Sequence, residues 1–175
     1  LAKRSGGENF ALDCYRRLIE KFGEIVKGLP REAFDRVLSE AKRARGVEHD
    51  YQLAAGDWKR VVAAYKKLYF EHAREDFPQD ARAQLRAAVE AVFRSWNNAR
   101  AVTYRNLNAI PHDIGTACTV QAMVFGNFND SSATGVAFTR NPATGENAFY
   151  GEYLTNAQGE DVVAGIRTPY PLRKA

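Results

Sequence analysis

Residues 116–140 read TACTVQAMVFGNFNDSSATGVAFTR, and this stretch decides the fold of the second half of the chain. Residues 116–125 are rich in β-branched and small side chains, which predicts a strand. Residues 126–133 are polar and prone to turns, whereas residues 134–140 again have the composition of a strand. The stretch therefore predicts two strands separated by a polar loop.

A third strand is predicted just downstream. The connection at residues 141–145 contains Pro142 and Gly145, and the glycine can adopt positive φ in a turn. Residues 148–154 then return to a strand pattern. Because strands that follow one another through short turns pair antiparallel, we expect a small antiparallel sheet in this half.

The chain upstream of this sheet has a different composition. Charged residues number 34 among the first 98 positions and only 12 among the last 77. Solvated helix faces use more charge than β-structure does, so residues 1–98 are predicted to be helical. Asn97 and Asn98 mark a break, residues 99–107 are ambiguous but compatible with a short helix, and residues 111–115 are a predicted loop.

The first two predicted helices have clear stop signals. In residues 10–26 apolar side chains recur at the spacing of one buried helix face, namely Phe10, Cys14, Leu18, Phe22 and Val26, widened by Ala11, Tyr15 and Ile19. Gly28 is the predicted end of this helix. Pro30 opens the second helix, which ends in the basic run at residues 42–45 followed by Gly46.

Two further helices complete a predicted four-helix bundle. Asp57 is the predicted N-cap of the third, and Pro78 with Asp80 opens the fourth. The third presents the apolar set Trp58, Val61, Val62, Tyr65, Leu68 and Tyr69. The apolar set of the fourth, also predicted to face the core, is Leu85, Val89, Val92, Phe93 and Trp96.

Composition excludes several classes of protein. No apolar run approaches the roughly 18 residues that cross a bilayer, so no membrane partner is expected. Cys14 and Cys118 form no CxxC pair, the three histidines lack ligand spacing, and the motifs of serine hydrolases and Walker-type nucleotide loops are absent. The net charge of +4 arises within residues 1–98 and is too small to predict a nucleic-acid partner. Without an initiator methionine or a signal-peptide pattern, the chain is expected to be a segment of a longer protein.

Several loops of the C-terminal half contain residues that could bind a ligand, and for each loop a purely structural role is the alternative. Residues 126–132 can present backbone N–H groups to a phosphate or simply form a hairpin loop. Arg140 ends a strand and suits an oxyanion, but it also suits a surface position. Glu152 and Glu160 lie near glycines, where carboxylates either bind Mg²⁺ or are solvated. These residues alone specify no reaction.

Four segments together resemble one enzyme family. They are VQAMVFGN at 120–127, TGVAFTRNP at 134–142, GEYLTNAQGEDVVAGIRTP at 151–169 and, more loosely, FALDCYRR at 10–17. The chain is similar over nearly its whole length to the pyruvate, phosphate dikinase family. The resemblance implies an α+β fold in which a helical bundle subdomain, residues 1–98, precedes part of the ATP-grasp nucleotide-binding lobes, residues 99–175, with a hinge near 121–127.

The resemblance also implies a function for the parent enzyme. Members of the family use ATP to phosphorylate a histidine on a swivelling domain, phosphorylate inorganic phosphate, and convert pyruvate to phosphoenolpyruvate in a barrel domain. They are Mg²⁺-dependent homodimers, and a cytoplasmic location is expected. The family residues that hold the ATP phosphates, the metal and the phosphorylated histidine lie outside this segment, so the segment alone is expected to be inactive.

The resemblance assigns candidate binding residues but no catalytic or metal-ligating ones. Residues 121–124 would form the hinge strand between the two lobes, with Gln121 and Val124 beside the adenine edge and Met123 as an apolar platform. A hinge of this kind offers a C=O acceptor and an N–H donor to the base. Glu160 and Arg167 would lie toward the phosphates.

Two alternatives stay open at this point. The helical region is aromatic-rich, with Trp58, Tyr65 and Tyr69 on one predicted helix, so it could be a protein-interaction module without catalysis. The second alternative is a fragment of a phosphoenolpyruvate synthase-like enzyme, which shares the nucleotide-binding unit.

Overall fold

The computed structural model describes residues 7–165 and 167–172. The chain divides into two compact units, whose described parts are residues 7–121 for the first and residues 122–165 and 167–172 for the second. The first is the helical unit and the second is the sheet unit. The α+β fold class is confirmed, since helices dominate the first unit and the second holds a three-stranded antiparallel sheet.

Five α-helices and one 3₁₀ turn build the described helical unit. They are α1 (Glu8–Lys27), α2 (Arg31–Arg45), the 3₁₀ turn (Asp50–Gln52), α3 (Ala55–Ala73), α4 (Ala81–Ser95) and α5 (Ala99–Leu107). The predicted helix ends at Gly28 and Gly46 are confirmed, because both residues cap a helix with φ of 68° and 71°. Glycine adopts this left-handed conformation without the steric cost that a side chain brings.

The core of the helical unit lies between α1, α2 and α3. It consists of the buried side chains Ile19, Phe22, Leu29, Phe34, Leu38, Leu53, Trp58, Val61, Val62, Tyr65, Tyr69 and Phe77. Phe22, Tyr69 and Phe77 contact one another, with the Phe22 and Tyr69 rings meeting that of Phe77 edge to face at centroid distances of 5.4 and 5.3 Å. Edge-to-face packing of this kind adds to the stabilisation that area burial gives.

A buried ionic cluster accompanies this core. The Arg16 guanidinium donates to Asp13 at 2.9 Å, to Glu20 at 3.2 Å and to Asp50 at 3.0 Å, and it lies 5.3 Å from the Trp58 ring centroid. Burial alone lowers the pKa of Arg16, but the charges of Asp13 and Asp50 raise it above its usual value. The guanidinium therefore stays charged and ties α1 to the 3₁₀ turn.

Two predictions about the helices are wrong in detail. Asp57 lies in the first turn of α3 rather than at its N-cap, and its carboxylate accepts the Ala54 N–H at 3.0 Å. The apolar face of α4 was predicted to enter the core, yet Leu85, Val92 and Phe93 are exposed and Ala91 is the one buried residue of that helix. Asp80 does cap α4, accepting from the Arg82 N–H at 3.0 Å.

An arginine joins α5 to the chain on either side of it. The Arg105 side chain donates to the Trp96 carbonyl at 2.6 Å and to Nδ1 of His112 at 2.9 Å, and its guanidinium lies 4.0 Å from the Trp96 ring centroid. The Trp96 indole N–H donates to the His112 carbonyl at 3.2 Å. These contacts fix residues 108–112 against α5.

The sheet unit contains β1 (Ala133–Phe138), β2 (Tyr150–Thr155), a short helix α6 (Gly159–Val163) and β3 (Tyr170–Pro171). The strand order is β1-β2-β3, and Ala133 pairs with Thr155 while Tyr153 pairs with Tyr170. The strands predicted at residues 134–140 and 148–154 are therefore confirmed. The strand predicted at 116–125 is wrong, since these residues take no regular secondary structure.

None of the helices within the described ranges has both the length and the apolar character that crossing a bilayer requires.

Candidate functional site

The candidate site begins at the connector, residues 116–125, which links the last helix to the sheet. Most of its residues are exposed, including Gln121 and Met123, and Val124 reaches 92% exposure. Within the described part of the chain, no backbone–backbone hydrogen bond involves residues 116–124. Most side chains of the connector are accordingly accessible.

The division between the two units runs through the connector, between Gln121 and Ala122. Gln121 therefore belongs to the helical unit, whereas the other four predicted site residues, Met123, Val124, Glu160 and Arg167, belong to the sheet unit.

Gly126 directly follows the connector, and backbone segments approach one another very closely at this glycine. The Ala157 N–H donates to the Gly126 carbonyl at 3.0 Å. A Cβ atom at position 126 would meet the Ala157 carbonyl oxygen and would lie 2.8 Å from that of Ala133. Only a residue without a side chain fits between these carbonyls.

A buried pair of amide side chains lies beside this glycine. The Gln158 side chain donates to Oδ1 of Asn127 at 3.2 Å, and both residues are buried. The Gln158 backbone N–H donates to the Asp161 carboxylate at 2.8 Å. Because a buried polar group is costly without a partner, this pair fixes the chain after the connector against the start of α6. Sequence reasoning missed it, since two amides 31 positions apart give no local signal.

The loop that follows bonds largely to itself and to the end of β2. The Ser131 N–H donates to the Asn129 side chain at 2.9 Å, and the Ser132 N–H donates to the Asn129 carbonyl at 3.0 Å. The Asn156 side chain donates to Asp130 at 2.9 Å. The groups of residues 126–132 are therefore engaged within the loop and with the end of β2. Because residues 116–125 form no strand, this loop leads into β1 and is not the predicted hairpin loop between two strands.

Arg167 and Glu160 lie on the segment after β2. The Arg167 guanidinium donates to the carbonyls of Thr155 at 3.2 Å and Asn156 at 3.1 Å, and Asn156 has a positive φ of 45°. Arg167 thus holds a left-handed turn at the end of β2. Glu160 is partly buried in the first turn of α6.

The described residues contain no group of three or more His, Cys, Asp or Glu side chains placed to hold a metal ion.

Comparison with known proteins shows which family and which relatives this chain is similar to. The family described as pyruvate phosphate dikinase, AMP/ATP-binding domain, matches residues 77–174. A pyruvate, phosphate dikinase of Clostridium symbiosum is 52% identical over 172 residues, covering 98% of this chain and 20% of the relative. The corresponding protein of Rhizobium meliloti is 53% identical over 175 residues, covering all of this chain and 20% of the relative.

A plant relative shows a similar level of identity. The pyruvate, phosphate dikinase 2 of Oryza sativa subsp. japonica is 54% identical over 172 residues, covering 98% of this chain and 19% of the relative. The chain spans about a fifth of the length of the curated relatives it matches. The matched region, residues 77–174, covers more than half of the chain. The chain therefore belongs to the pyruvate phosphate dikinase AMP/ATP-binding domain family.

Proposed function

We propose that this chain supplies the connector and adjoining parts of an adenine-nucleotide-binding region in a pyruvate, phosphate dikinase. The observation on which the proposal rests is the accessible connector at the junction of two compact units, in a chain that matches the family's AMP/ATP-binding domain. All three relatives described above are named as dikinases, which favours this enzyme over a phosphoenolpyruvate synthase.

The connector has the chemistry that recognition of adenine needs. Successive C=O and N–H groups can pair with the exocyclic amine and a ring nitrogen of the base, while apolar side chains cover its faces. In this proposal, residues 121–124 supply the backbone contacts and Met123 lies against the ring. The high exposure of Met123 and Val124 supports a role in contacting adenine, because neither side chain is buried in a core.

Glu160 and Arg167 are proposed to lie on the phosphate side of the nucleotide. Their place in the unit that also contains Met123 and Val124 supports this. Arg167 already donates to two backbone carbonyls, so its role includes shaping the end of β2 as well as adding positive charge. An arginine with five donors can serve both purposes.

The remaining features of the parent enzyme are proposals of the same kind. The parent would phosphorylate a histidine on a swivelling domain with ATP and interconvert pyruvate and phosphoenolpyruvate. It would work as a cytoplasmic homodimer that uses Mg²⁺. No step of phosphoryl transfer is given to residues of this chain, because that chemistry depends on cations and a metal placed around the γ-phosphate.

Calorimetry on two proteins tests the proposal. This chain alone is expected to bind ATP weakly or not at all, whereas a longer version that includes the flanking sequence of the gene binds ATP tightly. In the longer version Met123→Glu is expected to weaken ATP binding at least about tenfold, since a carboxylate replaces an apolar contact with the ring.

The matched control is Leu107→Glu, which places the same charge at an exposed position of α5. It should leave ATP affinity unchanged. If the longer protein does not bind ATP, the nucleotide role is wrong; if it binds but Met123→Glu has no effect, the placement of the base on the connector is wrong.

A further inference from the structure

A buried arginine of α5 is satisfied without a carboxylate. Arg105 is only 3% exposed, and within the described residues it takes part in no ion pair. Its guanidinium instead contacts the Trp96 ring, the Trp96 carbonyl and the imidazole of His112. Since a buried cation is costly without acceptors, the imidazole nitrogen takes the place that carboxylates fill around Arg16.

These contacts determine which ring nitrogen of His112 carries the proton. The Nε–H group of Arg105 can only donate, so Nδ1 of His112, which lies 2.9 Å from it, is the acceptor. Nε2 then carries the proton and donates to Oδ1 of Asn106 at 2.9 Å. The imidazole is neutral in this arrangement, because the charged form has no acceptor nitrogen.

No negative charge offsets the guanidinium beside this ring. Among the described residues, the side chains that hydrogen-bond to the His112 ring are the charged Arg105 and the neutral Asn106. Charged side chains close by in the chain make no hydrogen bond or ion pair with His112 within those residues, namely Glu90, Arg94, Arg100 and Asp113. A proton added at Nδ1 therefore removes an acceptor and places a second positive charge beside Arg105.

The segment that this ring anchors contains a strained residue. Ala109 has a positive φ of 52°, a left-handed conformation that is unfavourable for a residue with a side chain. Next to it, the Ile110 N–H donates to the Arg105 carbonyl at 3.0 Å. Strain of this kind persists only while the surrounding contacts hold it, so loss of the His112 contact favours release of the segment.

We propose that His112 is a proton-sensitive latch for residues 109–115, the segment that leads into the connector. With the imidazole neutral, Arg105 and Asn106 hold the segment against α5; with the imidazole protonated, the bond from Arg105 is lost and the segment becomes mobile. Histidine is the side chain whose charge ordinarily changes between about pH 5 and about pH 8.

The position of the latch gives it an effect on the connector. Within the described part of the chain, residues 116–124 make no backbone–backbone hydrogen bond. Among the described residues, His112 is also the last before the connector whose side chain makes a hydrogen bond. Protonation of His112 therefore lengthens the stretch of chain that is free to move. This inference does not depend on the proposed nucleotide role.

Nuclear magnetic resonance on this chain tests the latch. At about pH 7.5 the nitrogen chemical shifts of the His112 ring should show a protonated Nε2 and an unprotonated Nδ1. Acidification to about pH 5 should lower the backbone order parameters of residues 109–115 from about 0.85 to below about 0.6, while those of α1–α3 stay unchanged.

Two substitutions at the latch separate its charge from its hydrogen bonds. His112→Gln keeps an acceptor and a donor but does not titrate, so the segment should stay ordered at both pH values. His112→Lys carries a permanent positive charge and no acceptor, so the segment should be mobile at both. The matched control is His72→Gln, which removes an exposed histidine whose ring bonds to the Leu68 carbonyl. It should respond to pH as the unaltered chain does.

Several results would overturn the proposal. One is a protonated Nδ1 near neutral pH, and another is an unchanged order parameter across residues 109–115 on acidification. An equal response to pH in His112→Gln, or its loss in His72→Gln, would show that the latch is not at His112. Loss of order throughout the helical unit would show that acid acts on the whole unit instead.

Discussion

The helical unit and the sheet unit are held together in different ways. The helical unit closes a cluster of twelve buried apolar side chains over its described residues. In the described sheet unit only Leu154 and Ala157 are buried apolar residues, and strand pairing with polar contacts such as that of Gln158 with Asn127 supplies the rest. Since apolar burial is the dominant stabilising term, the helical unit has the larger share of it.

This difference shows that one unit of the chain buries most of its large apolar side chains, whereas the other leaves many of them exposed. Around β1 and β2 large side chains such as Phe138 and Phe149 remain exposed, and so do those of the connector. Exposed apolar surface of this extent is typical of regions that bind a ligand or another segment of protein. The sheet unit is accordingly a region from which binding is expected.

The largest expected effect is on the helical side of the comparison. Tyr65 is fully buried and its hydroxyl donates to the Phe34 carbonyl at 3.2 Å. Tyr65→Ala is expected to lower the free energy of unfolding by about 4 kcal/mol, whereas Leu154→Ala on the sheet side costs about 2 kcal/mol, because fewer apolar neighbours surround it. Urea unfolding monitored by circular dichroism measures both.

Tyr65→Phe serves as the control for the hydroxyl alone and should cost about 1 kcal/mol. An equal cost for Tyr65→Ala and Leu154→Ala would contradict the contrast between the two units.

The next effect concerns the ionic cluster inside the helical unit. Arg16→Ala removes a cation that Asp13, Glu20 and Asp50 share, and it is expected to cost about 3 kcal/mol because the buried Glu20 loses its ion pair with Arg16. Asp13 keeps its pair with Arg17, and Asp50 keeps its pair with Lys42. Arg31→Ala, which removes an exposed pair with Asp35 at 3.6 Å, should cost less than about 0.5 kcal/mol. Thermal unfolding of both variants checks this, and similar melting temperatures would rule out a stabilising cluster.

Substitution of Gly126 tests whether close approach of backbone segments is needed for the stability of the sheet unit. Gly126→Ala is expected to cost about 2 kcal/mol, because the added methyl group meets the carbonyls of Ala157 and Ala133. Gly159→Ala is the control, since the space around that position is open. Hydrogen exchange followed by mass spectrometry should show faster exchange at residues 133–155 in Gly126→Ala only; unchanged exchange would mean that the close approach is not needed.

The smallest effect is a pH dependence at the surface of the helical unit. Hydrogen bonds from Lys27 and Tyr69 lower the pKa of Glu75 below its usual value of 4.5. The folded chain therefore binds fewer protons than the unfolded chain, so this contribution is complete above pH 4.5 and is lost as the pH falls through the lower folded-state pKa. Chemical unfolding between pH 6 and pH 3 should show a shallower acid loss in Glu75→Gln; identical profiles would exclude the contribution.

Local signals in the sequence predicted much of this fold. The glycines after α1 and α2, the Asp80 cap and the composition of β1 and β2 act within a few residues, so each could be read directly. The prediction failed where a distant partner decides the outcome. Residues 116–125 have the composition of a strand, but a strand exists only when another pairs with it, and α4 has a helical stripe whose direction depends on the packing of Ala87 and Ala91.

The candidate site was predictable only in part. The resemblance located the connector and named Gln121, Met123, Val124, Glu160 and Arg167, whose nucleotide contacts remain predictions. The roles of Gln158 with Asn127, and of Gly126, depend on contacts between residues about 30 positions apart, which no spacing rule anticipates. The burial of Arg16 was not predicted for the same reason, since Asp50 and Trp58 contact it only in the folded chain.

The order of the two units along the chain has a consequence during synthesis. The helical unit comes first, and its helices are joined by short links between neighbouring elements, so its core can close while the ribosome is still adding the residues that follow. The connector then emerges from an already folded body. A nascent chain paused after residue 121 should therefore already resist a protease across α1–α3.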